Sequence, residues 1–304
     1  MWSGRGGGYG RRAPSLPVDF PRRIVCLTEE TTETLYRLGE GDRVVGVSGY
    51  TVRPREARLK PRVSAFTTAK FDAILELRPD LVLTFSDLQA DITCELVRRG
   101  VTVFNFNQRS VEEIFEMIAA LARLVHARER GAALAGELRA GLEAIAASAA
   151  RFPRRPRVWF EEWKDPLISG IRWVEELVAL AGGEPLFPEL RGQGQARGRI
   201  VAPEAVAERD PEVIIGSWCG QKVNKRAIRE RPGWAAVTAV REGRIYEVKS
   251  TYILQPGPAS LTEGVRQLHW ILGHVAGMEV APGVAPEERV DPDLGAAGGE
   301  ALGA

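Results

Sequence analysis

The sequence predicts an α/β protein: two doubly wound lobes with mostly parallel sheets, joined by one long backbone helix, with a cleft between the lobes. Three observations predict it. Short apolar runs alternate with helical stretches on both sides of the middle, a pattern that builds parallel sheets covered on both faces. One helical segment, Ser110 to Arg151, is far longer than any other and divides the alternation in two. A helix–turn–strand unit then recurs, because residues 71–85, FDAILELRPDLVLTF, lie without a gap over residues 203–217, PEAVAERDPEVIIGS. Ala73, Glu76 and Pro79 match Ala205, Glu208 and Pro211, while Asp72/Glu204, Ile74/Val206 and Asp80/Glu212 are conservative pairs.

Taken in order, residues 1–21 are rich in Gly, Arg and Pro and are expected to form a disordered leader. The N-terminal lobe, 22–126, carries strand runs at Arg23–Leu27, Val44–Ser48, Leu81–Phe85 and Val101–Phe106. Helical stretches at Thr31–Leu38, Phe71–Leu77 and Ala90–Arg99 separate them. The long segment opens on SVEE, where Ser110 and Glu113 fit a capping box. Apolar residues at Ile114, Ile118, Leu121 and Val125, then Leu134, Leu138, Leu142 and Ile145, mark one buried helical face. Gly131 is expected to divide it into a short packing helix and a second one of about 20 residues, which runs about 30 Å at 1.5 Å per residue, with 127–152 as the linking segment. Phe152-Pro153 stops it, since proline disfavours helix at the residue before it. The C-terminal lobe, 153–277, resumes with strands at Arg157–Trp163, Val213–Gly216 and Arg244–Val248 and helices at Val174–Ala181, Glu204–Glu208 and Leu261–Val275. Residues 278–304, rich in Ala, Gly, Pro and acids, are expected to be a disordered tail.

Composition narrows the function classes. Lys plus Arg is 41 against 40 for Asp plus Glu, so a net charge of +1 gives no reason to expect nucleic acid or an anionic membrane as partner. No stretch has the length of a membrane span, and a monomer is expected. Cys26, Cys94 and Cys219 are too few and too scattered for a disulfide framework or a zinc ribbon. Residues 1–22 lack the apolar run of a signal peptide, so the sequence as it stands points to the cytoplasm.

In open parallel sheets ligands bind beyond the carboxyl ends of the strands. The loop after Phe85 (Ser86, Asp87, Leu88, Gln89) and the loop after Ser217 (Trp218, Cys219, Gly220, Gln221) therefore face one space from opposite lobes. Tyr50, Phe66, Trp163, Trp173, Tyr252 and Gln255 come from other segments ending at that edge. Aromatic walls with a few amides and hydroxyls suit a large, flat, amphipathic ligand. Asp72 and Glu204, matched by the repeat and each near a helix start, fit either local dipole compensation or a symmetric docking pair for a two-fold partner.

The order VVGVSGY, LRPDLVL, a long central helix and APEAVAERDPEVII resembles the solute-binding proteins of ABC transporters in the iron-siderophore/cobalamin periplasmic-binding family, over roughly residues 22–277. The segments FEEWKDPLISGIRW, GSWCG and ILQPGP are similar to a subgroup described as cobalamin-binding. The resemblance implies two lobes on one stiff helix, a corrinoid held non-catalytically in the cleft, no catalytic cofactor, and a periplasmic or extracellular location. It also implies that Tyr50 and Phe66 are cleft aromatics and that Asp72 and Glu204 meet arginines of a permease dimer. Phe66 stands where a tryptophan is more usual.

Other chemistries are left open to different degrees. A metal receptor needs several inward His and carboxylate ligands, yet only His126, His269 and His274 exist, and the last two lie on different faces of one helix. Haem needs an axial ligand, for which Tyr50 or Tyr252 would serve. An anionic ferric siderophore favours an arginine cluster, for which Arg53, Arg55, Arg172, Arg191, Arg197 and Arg199 are available. An enzyme would use Glu161 and Glu162 or Cys219, but there is no G-x-S-x-G elbow, and neither glycine run, GRGGGYG (4–10) or GQGQARG (192–198), sits between a strand and a helix. A cytosolic corrinoid carrier or sensor is the remaining alternative.

Overall fold

The computed structural model describes residues 20–288 and 290. The first lobe runs β1 (Ile24–Cys26), α1 (Glu29–Arg37), β2 (Val44–Ser48), β3 (Arg62–Ala65), β4 (Thr68–Ala69), α2 (Phe71–Glu76), β5 (Leu81–Phe85), α3 (Ala90–Arg98) and β6 (Val103–Phe106). Two helices follow, α4 (Val111–Leu124) and α5 (Arg128–Ala149). The second lobe runs β7 (Arg157–Lys164), β8 (Leu167–Ser169), α6 (Arg172–Leu180), β9 (Glu184–Pro185), α7 (Pro203–Glu208), β10 (Val213–Gly216), α8 (Lys225–Arg229), α9 (Thr238–Arg241), β11 (Ile245–Glu247), α10 (Ser250–Ile253) and α11 (Val265–Ala276).

The first sheet has the order β4-β3-β2-β1-β5-β6, parallel except for the β3/β4 pair. The second has the order β11-β10-β7-β8, with β9 also paired to β7 and only β8 antiparallel. Alternation along the strands sorts side chains onto two faces. Ile24, Cys26, Leu81 and Leu83 of the first sheet share one core with Val158, Phe160, Val213 and Ile215 of the second. Leu134, Leu138, Leu142 and Ile145 of α5 are buried in that same core, where the helix packs against α4, α6 and α11. Each such leucine contributes roughly 2 kcal/mol by leaving water. The outer faces have separate cores, around Val25, Val82 and Leu96 in one lobe and Trp159, Ile214 and Trp234 in the other.

The capping box at α4 forms as expected: the Ser110 hydroxyl accepts from Glu113 N at 3.2 Å, and the Glu113 carboxylate accepts from Ser110 N at 2.9 Å. The division of the long segment falls earlier than expected. It lies at residues 125–127, where His126 has φ 58°, and Gly131 sits inside α5. A Cβ on Gly131 would stand 2.3 Å from the Cβ of Ala122, so this glycine exists to let α4 and α5 approach.

The repeat carries into three dimensions. Arg78 and Asp210, equivalent in the two units, both take the left-handed conformation, with φ 46° and 45°. The closing helix differs from expectation in starting as a π-helical turn over Ser260–Gly264. The tail expected from 278 packs against the second lobe at its start, where Val284 and Val290 are buried. The buried Glu263 carboxylate accepts from Glu287 N at 2.9 Å and Glu288 N at 3.1 Å. Residues 1–19 of the expected leader and 291–304 of the tail lie outside the described residues.

Candidate functional site

The carboxyl edges of the two sheets face each other across a seam that is bridged at several points. Tyr50, just past β2, lies opposite the second lobe's Gly220, where an added Cβ would stand 3.7 Å from the phenol ring. At one end the Asp87 carboxylate accepts from Gln195 Nε2 at 3.3 Å. At the other, the Arg53 guanidinium stacks over the Tyr252 ring at 5.1 Å. Deeper in, Gln108 Nε2 donates to the Pro256 carbonyl at 3.0 Å, and Gly257 lies so close that a Cβ there would be 2.5 Å from the Cβ of Glu30. A pocket of about 820 Å³ opens beside the Arg53 end, lined from the first lobe by Glu33, Tyr36 and Val52 and from the second by Tyr252, Arg266 and Glu288. That volume is in the range of small-molecule sites.

The expected ligand residues divide into two groups. Tyr50 is 46% exposed, Phe66, Trp163 and Gln255 are half-buried, and Asp87 and Cys219 are exposed. Gln89, fully buried, fixes this edge: its Nε2 donates to the Phe66 carbonyl at 2.6 Å and its Oε1 accepts from Phe85 N at 2.9 Å. Trp173, Phe85, Ser86 and Trp218 are instead buried. Trp173 is core, with Nε1 donating to the Ile253 carbonyl at 2.9 Å. The Phe85 ring is core beneath Arg109, and Ser86 accepts from Leu88 N at 3.2 Å. Trp218 donates from Nε1 to Glu161 at 3.0 Å, with Lys164 over its ring. Tyr252 is also largely buried, its hydroxyl donating to Glu288.

Glu161 is fully buried and fully used. It accepts from Trp159 and Trp218 at 3.0 Å each and from Arg231 in two bonds of 2.6 and 2.8 Å. Glu162 holds Arg199 through bonds of 2.7 and 3.1 Å. Neither carboxylate is left free for proton transfer. Partial burial of the thiol, with Glu29 and Glu162 nearby, pushes Cys219 above its ordinary pKa, which disfavours the thiolate. Of the arginines considered for an anionic ligand, Arg53 pairs with Glu33 at 3.5 Å and Arg172 with Glu176 at 2.8 Å, while Arg191 Nε is buried without a hydrogen-bond partner among the described residues; nearby, Arg109 pairs with Asp87 at 2.7 Å. His269 is buried between Ala181 O and Ser148 Oγ, and His126 reaches Phe20 O, both away from the seam. Among the described residues there is no group of three His, Cys, Asp or Glu fit to hold a metal ion.

Asp72 and Glu204 are both exposed at the first turns of α2 and α7, one per lobe. Asp72 pairs with Arg99 at 3.2 Å.

Sequence reasoning missed the two most perturbed acids of the seam. Glu29 and Glu30 begin α1 directly beyond β1 and are almost without solvent contact. Burial pushes the Glu29 carboxyl up to about 7 and that of Glu30 to about 8, where the Thr28 hydroxyl, donating at 2.5 Å, only partly offsets it. The available signal was the run CLTEE, two acids immediately beyond a buried strand at the ligand edge of a parallel sheet.

Comparison with known proteins agrees with this geometry. Residues 24–252 match the family described as periplasmic binding protein. An uncharacterized ABC transporter substrate-binding lipoprotein of Bacillus subtilis, YvrC, is 26% identical over 257 residues, covering 82% of this chain and 79% of that one. The periplasmic vitamin B12 binding protein BtuF of Vibrio cholerae superposes with a TM-score of 0.67 at 26% identity, over 85% of this chain and 98% of that chain. The periplasmic heme-binding protein RhuT from Roseiflexus sp. RS-1 shares the fold, with a TM-score of 0.72 at 23% identity over 84% and 99%. No helix among the described residues is long and apolar enough to cross a membrane.

Proposed function

The chain belongs to the periplasmic binding protein family, and from that premise we propose that it captures cobalamin or a related corrinoid between its lobes, without covalent change, as the solute-binding component of an ABC importer. The observation that carries this reading is the exposed Tyr50 ring set against the bare Gly220 backbone, at the carboxyl edges of both sheets. Ring and backbone stand near van der Waals contact, so a planar guest enters between them with the lobes moved apart. The named relatives that bind vitamin B12 support the same ligand class. The buried packing of α5 against α4 from the first lobe and α6 and α11 from the second makes it a rigid spar, so opening and closing of the seam is modest. Asp72 and Glu204 dock the loaded protein on a two-fold permease, which requires work outside the cytoplasmic membrane.

Haem is the second reading, favoured by the Tyr252 phenol beside the seam pocket. Calorimetric titration with cyanocobalamin, haem and a ferric siderophore decides between them. The expected result is saturable binding of cyanocobalamin alone. Tight haem binding with no corrinoid binding would replace this reading by the second, and product formation from any ligand would overturn both. Reversing the charges of Asp72 and Glu204 together is expected to abolish uptake in cells and leave ligand affinity intact.

A further inference from the structure

Resting on the corrinoid reading, we propose that Glu288, carried back to the seam by the segment after α11, is a specificity residue that keeps the Tyr252 phenol from coordinating a haem iron. The two side chains meet directly: the Tyr252 hydroxyl donates to Glu288 Oε1, and Lys249 Nζ pairs with Glu288 Oε2 at 2.9 Å. Tyr252 and Glu288 both line the pocket of about 820 Å³ beside the Arg53 end of the seam, so their contact stands on the wall of a ligand-sized space. The segment that brings Glu288 there is pinned. The buried Glu263 carboxylate accepts from Glu287 N at 2.9 Å, Glu288 N at 3.1 Å and Gln267 Nε2 at 2.8 Å, and Val284 and Val290 are buried on either side. Glu263 itself belongs to the π-helical turn Ser260–Gly264, a form that gathers at functional sites. The backbone of Glu288 is therefore held, while its side chain remains half-exposed and open to the pocket.

The charges around the phenol decide what it can do. Iron takes a tyrosine as phenolate, so coordination requires the hydroxyl proton to leave for solvent. Arg53 lies over the ring at 5.1 Å and Lys249 at 5.8 Å, and two cations at that range favour the phenolate. Glu288 opposes them, because loss of the proton would set a phenolate oxygen against a carboxylate at hydrogen-bond distance. The balance falls on the side of the phenol, whose pKa is pushed up to about 12 by burial first and by the bond to Glu288 and its charge next. Tyr252 and Lys249 in turn hold the Glu288 carboxyl below its ordinary pKa, so the acid stays ionised. Ferric haem, which needs an axial ligand from the protein, is refused one. Cyanocobalamin, whose cobalt already carries both axial ligands, makes no demand on the phenol and is unaffected.

The test is titration of the full chain with ferric haem and with cyanocobalamin, in the wild type, Glu288→Gln and Glu288→Gln/Tyr252→Phe. Glutamine keeps the size of the side chain and its accepting oxygen and removes the charge. The wild type is expected to show no tyrosinate-to-iron charge-transfer band. Glu288→Gln is expected to gain that band and to bind haem at least about tenfold more tightly, since one pK unit of the phenol is a factor of ten. Adding Tyr252→Phe is expected to abolish both gains. Cyanocobalamin is expected to bind all three proteins with one affinity. The inference is overturned by a band already present in the wild type at equal affinity, by no gain in Glu288→Gln, or by a gain that survives Tyr252→Phe through Tyr36 on the same pocket wall. In each of those cases the corrinoid reading stands as long as cyanocobalamin binds. Failure of all three proteins to bind cyanocobalamin sinks that reading and takes the specificity role with it.

Discussion

In the first lobe Arg23 donates to the carbonyls of Leu77 and Arg78 from its guanidinium, and its backbone N–H donates to the Asp80 carboxylate at 2.9 Å. In the second lobe Arg157 does the same to the carbonyl of Asp210 and, through its N–H, to the Glu212 carboxylate at 3.1 Å. Asp80 and Glu212 are equivalent in the sequence repeat, as are Arg78 and Asp210. The far edges of the two sheets are thus anchored by the same parts. At the seam the likeness ends. The first lobe presents an exposed Tyr50 above buried Glu29 and Glu30, while the second buries Trp218 against Glu161 and shows Gly220 to the cleft. What the repeat kept is framework; what diverged faces the other lobe.

The largest expected effect breaks the lobes' equivalence in stability. Arg231→Ala would leave Glu161, fully buried, without its bidentate partner. Removing one side of a buried ion pair costs about 3–5 kcal/mol. Arg109→Ala, which frees a half-exposed Asp87, is expected to cost less than about 1 kcal/mol. Urea unfolding of the two variants checks this, and equal losses would mean that Glu161 is solvated and that the second lobe has no private buried pair.

Next in size is a pH effect that falls mainly on the first lobe. Glu29 and Glu30 there, and Glu175 in the second lobe, are raised by burial from 4.5 to about 7, 8 and 8. The folded state therefore holds protons that the unfolded chain releases, so stability is fullest below pH 4.5 on their account and falls as pH rises towards 8. The loss is expected to be on the order of a few kcal/mol. Thermal melts between pH 5 and pH 8.5 measure it. Glu29→Gln/Glu30→Gln should remove more of the slope than Glu175→Gln, and the reverse would shift the weight to the second lobe.

These particulars also show which parts of the molecule are legible without coordinates. The longer helices, α2, α7, β5 and β10 are legible because apolar periodicity and a shared proline, Pro79 and Pro211, report them directly, whereas α8, α9 and α10, of four or five residues each, are not. Strands β3, β4, β8 and β9 are not, being two to four residues long and too short to show a period. The edge that faces the other lobe follows from strand direction, which is why Tyr50 and Asp87 fall at the seam. Burial does not follow from residue type: Trp173 and Trp218 look the same in sequence as a cleft ring, and only packing separates them. Glu29 and Glu30 read as ordinary acids at a helix start, since the dipole explains them without a cleft.

A smaller effect tests the contact that joins the lobes. Gly257→Ala would drive a Cβ to 2.5 Å from the Glu30 Cβ and 3.1 Å from its Cα, which cannot rotate away. Overpacking of this kind costs typically about 1–3 kcal/mol. Because the strain lies between lobes, it is expected to be relieved by a slight opening, seen as a larger radius of gyration in solution scattering. A loss of stability with no change in dimensions would mean that the strain stays within one lobe.

The smallest effect is the sharpest test of the kinship between lobes. Asp80→Asn and Glu212→Gln each keep the shape of an anchor while removing its charge, and each weakens the bond that a strand's first N–H donates. A hydrogen bond to a charged acceptor is worth about 1.5–3 kcal/mol at most, and these half-exposed ones are expected to cost about 1 kcal/mol apiece. If the anchors are the same device used twice, the losses agree within error and add in the double variant, since the sites lie in separate lobes. Glu212 also pairs with Arg154 and Arg157, so a somewhat larger loss on that side is tolerable. A cost at one site and none at the other would not be, because the matched left-handed turns at Arg78 and Asp210 would then serve different ends.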